Sequence, residues 1–419
     1  MALLVSLIFF LKTSNKSLLN EGPVAEGEFM KAGDSFLLSS RKKIKEIEEK
    51  FPQLKNITED NERIDTTIFS NNIENFIGVV KIPVGLAGPL LVDGKLVHVP
   101  IATTEGALVA SIARGMKAIT ESGGISTFIN YRRMHRSPVA VFKNIAEAAA
   151  FEEWLSSKKS SDLLEATISK TSKHAKLIGY NVKLVGNTVH IRVDFETGKA
   201  AGQNMVTSAT QAIMNLVKEK SPFEFSFEMI EGNLSSDKKV SFGNLINGRG
   251  LSVTTETLLK KDIIERVLRV SAERLIKGYQ VGQQGSSLAG MMMYNINFSN
   301  VIAGIFTATG QDIACVHESS VGGLYLFDEG DFVRVTSILP SLIVGTVGGG
   351  THLPWQQECM NIMFPDSPPS AHDVGKVIAA ACVALDLSTL AAICAGHFTK
   401  AHENLGKNRP EELKVRKAS

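Results

Sequence analysis

Apolar and polar positions along the chain divide it into segments of different period. "KLVHVPIA" (Lys95–Ala102) reads as a strand, and "ALVASIARGMKAI" (Ala107–Ile119) reads as a helix. From Glu74 to Gly106, β-branched residues alternate with Pro and Gly, and "VDGK" (Val92–Lys95) marks a hairpin turn. Upstream, "SRKKIKEIEEKF" is expected to be a charged amphipathic helix with a solvated face. A second module starts near Ser137-Pro138. "SPVAVF" reads as a strand and Asn144–Lys158 as a helix. Ala175–Thr197 reads as a strand pair turning at Gly186-Asn187. Ala200–Lys220 reads as a helix, and "FEFSFEMI" closes as a strand. That order predicts a ferredoxin-like α+β module inserted in a larger domain. Beyond about residue 240 the pattern reads as mostly helical.

Composition narrows the class. The 419 residues are 44% hydrophobic and 21% charged, ordinary for a globular chain of two or three domains. A net charge of +2, with two Trp and five Tyr, argues against a nucleic-acid partner. Cys315, Cys359, Cys382 and Cys394 form no CxxC pair, and no HExxH is present. We therefore expect no disulfide framework, no metal and a reducing, cytoplasmic setting. "ALLVSLIFFL" (Ala2–Leu11) is short for a spanning helix and lacks a cleavage site, so it reads as an N-terminal helix, with a weak membrane anchor as the alternative. Val377–Gly396 is long enough to span a bilayer, but Asp386 at its middle points to a buried core helix.

Reactive groups gather in four short segments. Glu105 lies between the strand at 95–102 and the helix that follows. Either Thr103 or Thr104 caps that helix with Glu105 in its first turn, or Glu105 is a proton donor at a substrate. Asp237, Lys238 and Lys239 sit on a polar connection. Asp312 follows the apolar run "NVIAGIFTATG". His397 and His402 follow the long apolar helix. Two Gly-rich stretches, Thr197–Met205 and Gly345–Pro354, allow close backbone approach to an anion or a flat ring, although GxGxxG is absent.

Taken in order, "ENFIG", "IPVGLAGPL", "VPIATTEGALVAS", "SDKK", "INGRG", "GQD", "GTVGGGT" and "AGHFTKAH" resemble the 3-hydroxy-3-methylglutaryl-coenzyme A reductase family. The likeness runs from about Glu74 to Lys407 and is closer to the eukaryotic and archaeal class. The multi-span membrane region of animal members is absent. It implies reduction of the acyl thioester to mevalonate and coenzyme A with two NADPH and no metal. It also implies a homodimer, or an assembly of dimers, with the site at the subunit interface and "ENFIG" in the contact. By that resemblance Glu105, Lys238, Asp312 and His402 are catalytic. Arg136, Asp237, Lys239 and Asn300 meet the substrate, as does Lys277 once a gap is allowed. Ser172 and Lys173 fall at the 2′-phosphate, and Asn204 with Gly348, Gly349 and Gly350 at the nicotinamide and pyrophosphate.

The implied architecture is α+β, a large, mostly helical substrate domain (55–137 and 231–405) with an inserted ferredoxin-like cofactor domain (138–230). Residues 1–54 form an N-terminal helical segment and 406–419 a flexible tail. Two departures stand out. The family's cofactor loop reads Asp-Ala-Met-Gly, any residue, Asn. Here Lys199 replaces the acid, while Gly202 and Asn204 survive. Glu231 replaces a small hydroxyl residue. The charge reversal at Lys199 leaves open a non-catalytic or altered-specificity acyl-coenzyme A-binding homologue.

Overall fold

The computed structural model describes residue 49 and residues 65–69, 72–171 and 173–396. The expectations for Ala2–Leu11, the basic N-terminal helix, Ser172, His397, His402 and the tail concern positions outside those residues. The chain divides into two compact units, Met1–Lys81 and Ile82–Ser419. In the first, Thr66–Phe69 forms one 3-10 turn, and the rings of Phe69 and Phe76 stack 4.7 Å apart.

The second unit opens with a hairpin, β1 (Val84–Val92) and β2 (Lys95–Ala102). Its turn is Asp93-Gly94, both at positive φ, which matches the right-handed twist of the strands. Asp93 also accepts from the backbone N and Oγ1 of Thr127 and from Lys376 Nζ at 2.7–3.0 Å, tying the turn to its surroundings. Helix α1 (Leu108–Glu121) follows, then β3 (Ser126–Arg136), β4 (Val139–Val141), α2 (Ile145–Leu155) and α3 (Lys158–Thr171). Next come β5 (Lys176–Val185), β6 (Thr188–Glu196), α4 (Gln203–Lys220), β7 (Phe227–Met229) and α5 (Phe242–Asn247). The chain continues with β8 (Gly250–Lys260), α6 (Ala272–Leu288), α7 (Phe298–Thr309), β9 (Gly323–Glu329), β10 (Phe332–Leu342), α8 (Pro354–Met363) and α9 (Ala371–Cys394).

Strands β7-β4-β6-β5 pair antiparallel in that spatial order, the ferredoxin-like arrangement read from the sequence. On β6, Val189, Ile191, Val193 and Phe195 are buried on one face, while His190, Arg192 and Asp194 take the other. β3 joins this sheet to the rest. Its first part, Ser126–Arg133, pairs with β8, and its last three residues pair with β6. The α+β class therefore holds, with one difference. After residue 240 three strands interrupt the helices: β8, β10 and β9 lie antiparallel in that spatial order beside β3. Pro340 sits inside β10 where the register to β8 shifts, and a proline within a run masks a strand in the sequence pattern.

The core is built on α9. Among the described residues this helix alone is long and apolar enough to cross a bilayer, and 89% of its most apolar window is buried inside the protein. Its small residues let α1 approach backbone to backbone. A Cβ on Gly115 would lie 1.8 Å from the Ala384 carbonyl oxygen, and the Ser111 and Ser388 hydroxyls bond at 2.8 Å. Asp386, fully buried in α9, accepts the backbone N–H groups of Ile296 and Asn297 at 2.8 and 2.7 Å. Those residues lead directly into α7.

Candidate active site

Neither Thr103 nor Thr104 caps α1, and Glu105 is outside its first turn. The N-cap is Ala107, in a left-handed conformation with no side-chain cap bond. Thr103 Oγ1 instead accepts from the Glu105 backbone N at 3.0 Å, turning the loop so that Glu105 is exposed ahead of the helix. The Glu105 carboxylate meets Asn300 Nδ2 at 3.3 Å. Asn300 stands in the first turn of α7, so the helix that Asp386 anchors also orients this carboxylate.

Asp312 lies just past the other end of α7. Gly310, at φ +69, turns the chain there, and a Cβ on it would strike the Gly350 backbone at 2.4 Å. Asp312 Oδ2 meets Lys238 Nζ at 2.9 Å. That hydrogen bond raises the Lys238 pKa more than partial burial lowers it, so the ammonium stays charged. Lys238 itself holds a left-handed backbone at φ +59, an uncommon state for a non-glycine residue.

Buried side chains hold the loop in that state. Asp237 binds Arg136 Nη1 at 2.6 Å and Arg249 Nη2 at 2.8 Å. Burial pushes the Asp237 carboxyl up, but the two guanidiniums outweigh it and its pKa falls below the ordinary value. Arg249 is fully buried and pairs on its far side with Glu318, also fully buried. Burial raises the Glu318 carboxyl to about 7 against the pull of Arg249, and a backbone hydrogen bond from Lys238 completes the link. Arg136 also binds Thr207 Oγ1 at 2.7 Å and lies 3.8 Å from Glu231. Lys239 is exposed, its Nζ donating to the Asp237 carbonyl at 2.9 Å. Arg249 was visible only as part of "INGRG", and Glu318 carried no motif.

The two Gly-rich loops meet beside Asp312. Thr346 N donates to the Lys199 carbonyl at 2.9 Å, and Ala200 bridges Val347. Gln311 clasps Gly345 with two bonds of 2.9 Å, and Arg132 Nη2 donates to the Ala200 carbonyl at 2.6 Å. Lys199 enters through its backbone while its side chain is exposed, so the charge reversal leaves the turn intact. Gly202, at φ +96, caps α4, and Asn204 is exposed in that helix's first turn. Gly348 and Gly349 have positive φ at the rim. Lys173 is exposed just beyond α3. Lys277, on α6, lines a separate cavity of about 600 Å³ with Arg274, Val281, Tyr294, Ile393 and Cys394. No group of His, Cys, Asp and Glu among the described residues could hold a metal.

The arrangement can place a fixed cation against a developing oxyanion beside a glycine cradle. Comparison with known proteins agrees in kind. A family model described as "Hydroxymethylglutaryl-coenzyme A reductase" matches residues 39–407. The chain is 40% identical over 353 residues to a 3-hydroxy-3-methylglutaryl-coenzyme A reductase of Pyrococcus abyssi, covering 81% of this chain and 86% of that protein. It is 36% identical over 345 residues to a reductase of the same name from Methanocaldococcus jannaschii, covering 80% and 85%. The class II reductase of Streptococcus pneumoniae, solved bound to NADPH, shares the fold at a TM-score of 0.64 and 20% identity, over 84% of this chain and 96% of that one. From the extent of these matches, the chain belongs to the hydroxymethylglutaryl-coenzyme A reductase family.

Proposed function

We propose that this chain reduces 3-hydroxy-3-methylglutaryl-coenzyme A to mevalonate and free coenzyme A with two NADPH. Family membership supports the reaction, and the Lys238–Asp312 pair locked against both glycine loops supports the site. The loops fit a flat, phosphate-bearing cofactor. Gly348 has open space where a Cβ would stand, while Gly345 and Gly310 leave no room for one. Lys199 to Asn204 and Gly348 to Gly350 would hold it, with Ser172 and Lys173 at its 2′-phosphate. NADPH, when bound, supplies the hydride.

Each hydride delivered to the carbonyl carbon leaves an oxyanion, which the Lys238 ammonium stabilises while Asp312 keeps it charged and aimed. Collapse of the first tetrahedral adduct breaks the C–S bond, and His402 protonates the departing thiolate. The second oxyanion becomes the alcohol by taking a proton from Glu105, oriented by Asn300. Lys239 and Arg136, the latter fixed by Asp237, receive the substrate's free carboxylate.

The site calls for two chains. Asn300 lies in the first turn of α7 and Thr309 at its last residue, and nine residue steps of helix set them about 14 Å apart. Glu105 at one end and Lys238–Asp312 at the other are therefore too far apart to serve one carbonyl within a subunit. A homodimer that sets Glu105 of one chain against Lys238 of its partner completes the set.

The test is oxidation of NADPH at 340 nm with the hydroxymethylglutaryl thioester. Lys238→Ala should lose at least ~100-fold in kcat. Co-refolding Lys238→Ala with Glu105→Gln should restore about a quarter of the wild-type sites, since half the dimers are mixed and each carries one intact site. Full activity in Lys238→Ala would reject its role, and no recovery on mixing would reject the shared site.

A further inference from the structure

Behind the loop that carries Lys238 lies a polar cavity of about 280 Å³, lined by Arg133, His135, Asn181, Lys183, Arg192 and Asp194, with uncharged residues between 234 and 247 completing its wall. Its floor is the sheet face that the helices of the ferredoxin-like module leave uncovered. Strand register builds the floor as a lattice. His135 on β3 stands opposite Asp194 on β6, and Arg192 on β6 opposite Asn181 on β5, with Lys183 one step along the same face. Arg132, adjacent to Arg133, bonds to the Ala200 carbonyl of the glycine loop, and alternation along β3 sends Arg133 to the opposite face. The cavity is therefore separate from the cradle beside Asp312.

Three cations, Arg133, Lys183 and Arg192, face one carboxylate, Asp194, a balance of three minus one, or +2. Asp194 neutralises part of Arg192 through Nε at 2.9 Å, but Arg192 Nη2 and Arg133 Nε are buried without a hydrogen-bond partner among the described residues. The Arg133 guanidinium is set in place over the Tyr131 ring, 4.7 Å from its centre. His135 is 1% exposed. Its Nε2 lies 3.1 Å from the Ser235 carbonyl, which can only accept, so that nitrogen carries the proton. Burial first, then Arg192 and Arg249, holds the ring's pKa well below its ordinary value, leaving it neutral. Nδ1 is then a bare acceptor, also without a partner and 3.6 Å from Asp194, too far for a hydrogen bond. Unsatisfied donors and an unsatisfied acceptor thus face one small, positively charged space.

We infer that this cavity binds a protonated phosphate group, either inorganic phosphate or a small phosphomonoester. The anionic oxygens take the free N–H groups of Arg133 and Arg192 and the Lys183 ammonium, and the P–OH donates to His135 Nδ1. Sulfate has the same shape and no proton at neutral pH, so it leaves Nδ1 unsatisfied and sets its charge against Asp194. The acceptor thereby selects phosphate over sulfate.

The test is calorimetric titration of the 419-residue chain in phosphate-free buffer at pH 6, where both inorganic phosphate and a phosphomonoester (second pKa about 6) still carry a P–OH, and it reads binding without any reductase assay. The probes are inorganic phosphate, glycerol 3-phosphate and sulfate. Phosphate is expected to bind at least ~10-fold more tightly than sulfate, the size of one satisfied hydrogen bond. Lys183→Met and Arg133→Met should each weaken it by at least ~10-fold, the lower range for a hydrogen bond to a charged group. Lys183 is a strand residue on the sheet face and its loss leaves the fold in place, which circular dichroism checks. If glycerol 3-phosphate binds more tightly than phosphate, the occupant is an ester, and the reverse order assigns the free ion. No heat with any probe at millimolar concentration overturns the inference. So does equal affinity for phosphate and sulfate, or phosphate binding that neither Lys183→Met nor Arg133→Met alters, since the phosphate is then held elsewhere.

Discussion

Asp386 is a carboxyl inside the central helix, with no cation paired to it among the described residues and two backbone N–H groups donating to it. Burial raises its pKa from 3.8 to about 7, and the two N–H bonds reverse only part of that rise. A carboxyl that holds its proton more tightly in the folded chain stabilises the fold fully below its unfolded pKa. That contribution drains away as pH climbs through the folded value. A rise of this size amounts to about 4 kcal/mol, and about 3 kcal/mol of it falls between pH 4.5 and 8. Asp386→Asn has nothing to titrate. It keeps one acceptor oxygen and turns an amide N–H₂ toward the second backbone donor, a fixed cost of about 1–3 kcal/mol. Urea unfolding of both proteins, followed by far-UV circular dichroism at equal concentration, gives the difference directly. The wild-type advantage should shrink by about 3 kcal/mol between pH 4.5 and 8, and near pH 8 the variant should equal or exceed wild type. Parallel pH dependences would mean that Asp386 titrates alike in the folded and unfolded chains, and the desolvation reasoning would fail. Asp386→Ala orphans both N–H groups ahead of α7, a fixed cost of about 2–6 kcal/mol, and its deficit against wild type should likewise shrink by about 3 kcal/mol between pH 4.5 and 8.

Other substitutions test the remaining contacts. Glu318→Gln keeps the shape beneath Lys238 but removes the charge facing Arg249. We expect kcat to fall by about 10-fold, and a wild-type rise in kcat/KM near pH 7, where Glu318 ionises against Arg249, to be absent from the variant; a pH profile identical to wild type would remove Glu318 from the network. Gly115→Ala drives a methyl into the Ala384 carbonyl and should destabilise by about 3 kcal/mol, so an unchanged melting temperature would contradict the backbone contact between α1 and α9. Lys199→Asp should raise the KM for NADPH by about 3- to 10-fold with little change in melting temperature, because the side chain is exposed and the loop is held by backbone. A large loss of stability instead would show that the side chain shapes the turn.

Much of the local structure was written in the chain. The Asp-Gly turn, the strand–helix–hairpin–helix–strand module and the buried helix around Asp386 each follow from turn chemistry or periodicity over a few residues, which act before any distant contact forms. The motifs also singled out Lys238 and Asp312, but not that a fully buried Arg249 and Glu318 would brace the loop between them. The three strands after residue 240 were missed, one being interrupted by Pro340. The separation of Glu105 from Lys238 along α7 was equally hidden. These features depend on which surfaces pack together once the chain is closed on itself. Backbone period is a local property, whereas the pairing of buried charges and the distance across a helix are set by tertiary contacts between segments far apart in sequence.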